Sequence, residues 1–314
     1  MKGFFKSVLA TVVGIVVFLI IAGIFGVMSI VGMVASGQAT QTVKDGSVLV
    51  LNLSGVIEEQ GQDDIIGKLT GSYSSTTGLN NILTAIGKAK DNPNIKGIYI
   101  EAGVLSASYA TLQEIRGALE QFRKGGKWIV SYADSYSQGA YYVASAANKV
   151  YINPQGMLEW HGIGTQPIFY KDLLAKFGVK FQVVKVGTFK SATETYTEEH
   201  MSDANRLQTQ TFVGGMWNNV CQAVSKSRGI SVDSLNSYAD QMTEFQPTDL
   251  YIKRKMVDGV MYADKVKDVV KKLLKLEDDD MVPQISVSDM LNTKDTNTAD
   301  DEIAVYYAYG SIVQ

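Results

Sequence analysis

"GLNNILTAIGKAKDNPNIKGIYIEA", residues 78–102, decides the fold. Leu79, Ile82, Leu83 and Ile86 recur at helical spacing, and the run ends before Pro93. "IKGIYIEA" (95–102) follows within a few residues and reads as a strand of the buried type. The same alternation continues downstream. "ATLQEIRGALEQFRKGG" repeats the helical stripe through Leu112, Ile115, Leu119 and Phe122 and stops at Gly125 and Gly126. "WIVSYAD" (128–134) is the next strand, followed by a short helix over about 137–148 and the strand "VYINP" (150–154). A helix near 168–177 then leads into the strand "KFQVVKV" (180–186). Upstream, "DGSVLVLNLSGVIEEQ" (45–60) reads as a strand pair that opens the domain. Helices and strands in strict alternation with short connections predict an α/β fold of parallel strands joined by right-handed crossovers. Beyond it, Ser202 is the expected cap of a long helix with the stripe Val213, Met216, Trp217, Val220 and Val224, and a last helix covers about 263–276.

The N-terminus is of a different kind. No charged residue lies between Lys6 and Lys44. A run of about 20 apolar residues suffices to cross a bilayer, whereas a cleaved leader has an apolar core of about 7–15. Residues 8–36 therefore predict a retained transmembrane anchor, with a leader cleaved near Ala35, Ser36 and Gly37 as the alternative and with 1–7 on the cytoplasmic side because Lys2 and Lys6 precede it. The bulk of the chain then lies outside the cytoplasm, in the periplasm for a bacterial inner membrane.

The remaining composition excludes several functions. The formal net charge is −3, with no basic patch interleaved with aromatics, so no nucleic acid is expected as a partner. One cysteine, Cys221, excludes an intrachain disulfide and a Cys-rich zinc site, and two histidines, His161 and His200, speak against a multi-histidine metal centre. No metal or cofactor is expected. Residues 60–77 are polar and rich in Gly, Ser and Thr, the pattern of a loop. Residues 277–300 turn acidic and polar and read as a linker. After it, "EIAVYYAYGSIV" (302–313) can be laid on "SVLVLNLSGVIE" (47–58) without a gap, with Gly310 on Gly55. Residues 301–314 thus read as the first strand of a second copy of the domain at 45–276, with a chance strand similarity as the alternative.

The candidate chemistry centres on Lys190, in "KVGTFKSATETY" (185–196). A lysine is a general base only when neutral, which requires an apolar, water-poor site. Beside a serine, such an amine can take the hydroxyl proton as the serine attacks a carbonyl. From spacing alone, a solvated lysine at a loop start is the commoner reading. For a nucleophile, the turn "DSYSQGAYYVASAANK" (134–149) offers Ser135, Ser137 and Ser145. Ser137 reads as a helix cap and Ser145 lies inside the helix, so none stands out. The histidines lack a G-x-S-x-G elbow, and Glu198 and Glu199 read as a solvated pair.

The run "VGTFKSATETYTEEHMSDANR" (186–206) resembles the lysine motif of the signal peptide peptidase A, or protease IV, family, approximately V-G-x-[FY]-K-S-A-x-E-P. "YSQGAYYVASAANKVYINPQG" (136–156) resembles the turn, helix and strand of that family's N-terminal repeat, and "MVDGV" (256–260) fits the same order. The resemblance covers essentially the whole chain and points to the N-terminal repeat of the long, duplicated form. It implies a crotonase-like, ClpP-related fold behind one membrane helix. It also implies a Ser-Lys serine peptidase that degrades cleaved signal peptides as a ring- or bowl-like homo-oligomer, expected to be a tetramer. Lys190 falls on the family's base. Gln138, in "QGAY", stands where the active repeat carries its serine in an S-G-G-Y turn, and Leu105, Ser106 and Ala107 replace a Pro-Gly-Gly oxyanion loop. The chain is thus expected to supply the lysine half of a site whose serine lies beyond residue 314, and to be inactive alone. Thr195 replaces the motif's proline. The alternative is a non-catalytic, membrane-anchored scaffold, motivated by the lack of a convincing nucleophile. A crotonase-type acyl-CoA enzyme fits the fold alone, but not the outward topology.

Overall fold

A computed structural model describes residues 2–37, 40–61, 76–294, 301, 303–306 and 308. Helix α1 (Lys2–Gly37) contains the apolar stretch Lys6–Ser29, 24 residues with mean hydropathy 3.0 and no part of its most apolar window buried in the protein. At 1.5 Å per residue that stretch is about 36 Å long, against about 30 Å of hydrocarbon in a bilayer. It is long and apolar enough to cross a membrane.

The domain is built on a seven-stranded parallel sheet. Its strands are β1 (Ser47–Glu58), β2 (Thr77–Gly78), β3 (Ile95–Ser106), β4 (Trp128–Ala133), β5 (Lys149–Ile152), β6 (Gly259–Val260) and β7 (Gln284–Ser286), in the order β2-β1-β3-β4-β5-β6 with β7 also on β1. Helices α2 (Leu79–Asp91), α3 (Tyr109–Lys124) and α4 (Gln138–Ala144) are the crossovers between β2 and β5. Side chains alternate along the strands, as the two-residue strand period requires. Leu49, Leu51, Leu53, Ile98, Ile100 and Ile129 join the main core with the stripes of α2 and α3. Val48, Val130, Tyr132 and Tyr151 point the other way, onto Val266 and Val270 of α10 (Ala263–Leu274). Both faces are thereby covered, the usual condition of a parallel sheet.

The parallel α/β reading agrees with the structure, and four details differ from expectation. The strand pair expected at 45–60 is one strand, β1. Gly55, at φ +76°, lets it bulge and continue along β3, with the register shifting between Leu53 and Gly55. The strand expected at 180–186 pairs with nothing among the described residues, and Val184 and Val186 stand 97% and 86% exposed. The span read as a linker, 277–300, carries β7 and α11 (Val287–Leu291), which pack on β1 and α2, and Lys88 holds the Leu291 and Thr293 carbonyls at 3.0 and 2.9 Å. The stripe of the long helix α7 (Asp203–Arg228) is buried at Val220, Cys221 and Val224 but only half-buried at Val213, Met216 and Trp217, because its first half extends away from the core. The short helices α8 (Val232–Asp240) and α9 (Thr248–Lys253) complete the main core through Leu235 and Tyr251. Most of the loop expected at 60–77 and of the second-copy strand expected at 301–314 lies outside the described residues; Ile303, Val305 and Tyr306 are irregular and exposed.

Two glycines make the packing testable. A Cβ on Gly97 would lie 2.3 Å from the Trp128 indole, whereas a Cβ on Gly117, exposed on α3, would meet nothing within 4 Å. Gly97→Ala is expected to cost about 1–3 kcal/mol through overpacking. Gly117→Ala should gain about 0.5–1 kcal/mol from helix propensity. Denaturant midpoints of the two variants check the opposite signs.

Candidate functional site

The turn between β4 and α4 has no free serine. Ser135 Oγ accepts from the Met157 N–H at 3.1 Å. Ser137 is the cap of α4, as expected, and accepts from the Ala140 N–H at 3.3 Å. Ser145 closes the helix; it is buried, donates to the Tyr142 carbonyl at 2.9 Å and accepts from the Arg116 guanidinium at 2.7 Å. Arg116 also reaches the Ala223 carbonyl and Ser227 Oγ of α7, both at 2.9 Å, so Ser145 is part of the joint between three helices.

Gln138, the first residue of α4, is 5% exposed. Its Nε2 donates to the Tyr109 hydroxyl at 2.7 Å and to the Gly162 carbonyl at 3.0 Å. Its Oε1 accepts from the His161 and Gly162 N–H groups at 3.0 and 2.9 Å. All four hydrogen-bonding valences of the carboxamide are used. Gly162 can present both its N–H and its carbonyl to one side chain because it adopts φ +86°, a conformation that favours glycine. The Tyr109 hydroxyl is held above its ordinary pKa by burial, and the Gln138 bond offsets part of that rise. Leu105 and Ser106, where the resemblance implies an oxyanion loop, remain in β3 and pair with Gly55 and Val56.

Lys190 is carried on an arm that leaves the domain at Gly162 and returns at Ser202. No residue between Trp160 and Glu194 is buried. Helices α5 (Lys171–Lys176) and α6 (Glu194–Thr197) lie within it, held together by the Tyr170 N–H on the Thr195 carbonyl at 2.7 Å and by Tyr196 stacked on Phe181 at 4.8 Å. Lys190 is exposed and makes no hydrogen bond or ion pair to another described residue, Gln138 included. The apolar approach to it, which could have buried the amine, is itself exposed: Phe177, Val184, Val186 and Phe189 all face out.

Where the arm returns, Glu194 is 3% exposed. Its Oε1 accepts from Ser202 Oγ at 2.6 Å, and its Oε2 from the Ser202 N–H at 3.2 Å and Asn205 Nδ2 at 2.9 Å. Burial alone would raise its pKa; these hydrogen bonds and the Lys185 charge outweigh it and hold the carboxyl below its ordinary 4.5. Ser202 meanwhile caps α7 by accepting from the Asn205 N–H at 3.2 Å. The Ser202 cap was readable from its place before the helix. The Glu194 and Gln138 networks were not, because their partners come from other elements.

Glu199 pairs with Lys171 at 3.1 Å on the exposed surface, and Glu198 is exposed beside it. His161 and His200 are exposed, and no group of three or more potential metal ligands occurs among the described residues. Cys221 is buried, and burial pushes its thiol up to about 11, far from a reactive thiolate.

The sequence profile of peptidase family S49 matches residues 121–277. Protease 4 of Salmonella typhi is 35% identical over 228 residues, 70% of this chain and 36% of that protein. Protease 4 of Haemophilus influenzae is 31% identical over 221 residues, 68% of this chain and 36% of that protein. The chloroplastic serine protease SPPA of Arabidopsis thaliana is 26% identical over 277 residues, 87% of this chain and 39% of that protein. The matched region is thus less than two fifths of each relative's length.

The Gln138 network makes a sharp prediction. Gln138→Ser strands the His161 and Gly162 N–H groups, the Gly162 carbonyl and the Tyr109 hydroxyl. It is expected to cost about 2–4 kcal/mol in urea unfolding. The near-isosteric Gln138→Glu also destabilises, since a carboxylate cannot donate to the Gly162 carbonyl. An unchanged midpoint in both variants contradicts the network's role.

Proposed function

The chain belongs to peptidase family S49, and from that premise we propose that it is the base-donating half of a membrane-anchored serine endopeptidase with a Ser-Lys dyad. The observation that carries this reading is the pairing of a spent turn with a free amine. Gln138, where the family resemblance places the nucleophile, has its carboxamide fully bonded, while Lys190 stands exposed on an arm without a local partner. The attacking serine then comes from polypeptide outside residues 1–314, and these residues alone are inactive.

The chemistry follows from what a lysine needs. Neutral Lys190 takes the proton of the serine hydroxyl as its oxygen attacks the substrate carbonyl, and returns a proton to the leaving amine. Water then attacks the acyl-enzyme with the same amine as base. A neutral amine needs a dry surrounding, and the single chain leaves Lys190 wet. The partner that brings the serine must also bury the amine. Exposed Val184, Val186 and Phe189 flanking Lys190 support such a cover, because an apolar patch on a projecting arm is an association surface by default.

In the same reading, α1 is a retained single-pass anchor in a bacterial inner membrane, with Lys2 and Lys6 cytoplasmic and the domain outside. The fold is crotonase-like and ClpP-related, and the assembly is a homo-oligomer, a tetramer. The substrates are cleaved signal peptides and other short apolar peptides, which an anchored site can take from the membrane surface.

Lys190→Ala in the full-length protein tests the dyad. Hydrolysis of a peptide ester should fall by about 10²–10⁴-fold with the thermal midpoint unchanged. Parental turnover in this variant refutes the assignment of Lys190 as the base, whereas a parental protein with no turnover at all favours the scaffold reading.

A further inference from the structure

We propose that Glu194 is a positioning residue for Lys190, clamping the lysine turn to the first turn of α7. The inference rests on the reading of Lys190 as the base. Its evidence is a continuous set of contacts from the core to that turn. Helix α7 is 26 residues long, and its second half is fixed in the core by Val220, Cys221 and Val224. Its first turn presents Ser202 and Asn205, which donate three hydrogen bonds of 2.6–3.2 Å to the Glu194 carboxylate. One turn on, Gln208 Nε2 donates to Ser191 Oγ at 2.6 Å and to Asn205 Oδ1 at 3.2 Å. The Glu194 N–H closes the turn on the Ser191 carbonyl at 3.0 Å. Ser191 is the residue after Lys190, so the base is held through its neighbour by both its hydroxyl and its carbonyl.

The position of this clamp separates a positioning role from a structural one. Glu194 is the first buried residue on the arm after Trp160, and neither it nor any other residue of the arm belongs to the main core, which resumes at Val220 of α7. Hydrogen bonds to a buried carboxylate are strong. Here they restrain an exposed arm and contribute little to the folding of the domain. Loss of the clamp should release the lysine turn and leave the fold intact. A reacting group misplaced by about 1 Å can lose about a hundredfold in rate.

The test compares Glu194→Gln, Glu194→Asp, Asn205→Ala and Lys190→Ala in the full-length protein with a fluorogenic peptide ester. Glu194→Gln turns an amide toward donors and is expected to lower kcat by roughly ten- to a hundredfold, with KM within about threefold and the domain's thermal midpoint unmoved. Asn205→Ala, which removes one donor and keeps the carboxylate, should lower kcat by a smaller factor. Glu194→Asp, which keeps the charge, should recover part of the loss. In both impaired variants the pH of half-maximal rate on the acid side should move, a change that a distant packing defect does not produce. If Lys190→Ala retains turnover, the base reading fails and the clamp with it. If Lys190→Ala is inactive while Glu194→Gln and Asn205→Ala keep parental kcat and pH dependence, the clamp alone is overturned. Should Glu194→Gln fail to fold, Asn205→Ala decides by the same criteria.

Discussion

The carboxamide of Gln138 bonds to four groups at once, two on the loop at His161 and Gly162 within the backbone N–H set, one on the Gly162 carbonyl and one on Tyr109. That network joins the start of α4, the start of α3 and the point where the arm leaves the domain. Each bond is ordinary, worth about 1 kcal/mol net, but an unmade one in a buried site costs about 1–3 kcal/mol. A turn built this way cannot also expose a nucleophile. The neighbouring serines are committed in the same sense, to a cap, to a loop N–H and to Arg116.

The consequence is a division of labour within the chain. The sheet and its helices form a closed core on both faces, and the arm with Lys190 stands outside it. The arm is fastened at each end by one buried polar side chain, Gln138 where it leaves and Glu194 where it returns. Between these points Phe177, Val184, Val186 and Phe189 stay exposed. Polar side chains fix where the arm sits, while apolar ones along it face outward.

Much of this was legible in the sequence because its causes are local. The stripes of α2 and α3, the stop at Gly125 and Gly126 and the Ser137 and Ser202 caps depend on spacing and capping chemistry over a few residues. The alternation of helix and strand then leaves parallel pairing as the economical topology. The missed features depend on distant partners. A strand at 180–186 has the right residues, but a strand also needs a neighbour. The span 277–300 reads as a linker from its acidic, polar composition, yet within it β1 offers a free edge to β7 and α2 a face to α11. The strand pair expected at 45–60 is one strand because β3 lies alongside and carries it through the bulge at Gly55. At the site, Lys190 and Gln138 were found through a motif. The bonds that make Gln138 a tie and Glu194 a clamp join residues up to 29 positions apart, and no local pattern encodes them.

The central claim is that the attacking serine is not among these 314 residues. Labelling the full-length protein with a fluorophosphonate and mapping the adduct by peptide mass spectrometry tests it most directly. The account predicts one modified serine, outside residues 1–314, with Ser135, Ser137 and Ser145 untouched. An adduct on any serine within residues 1–314 contradicts it.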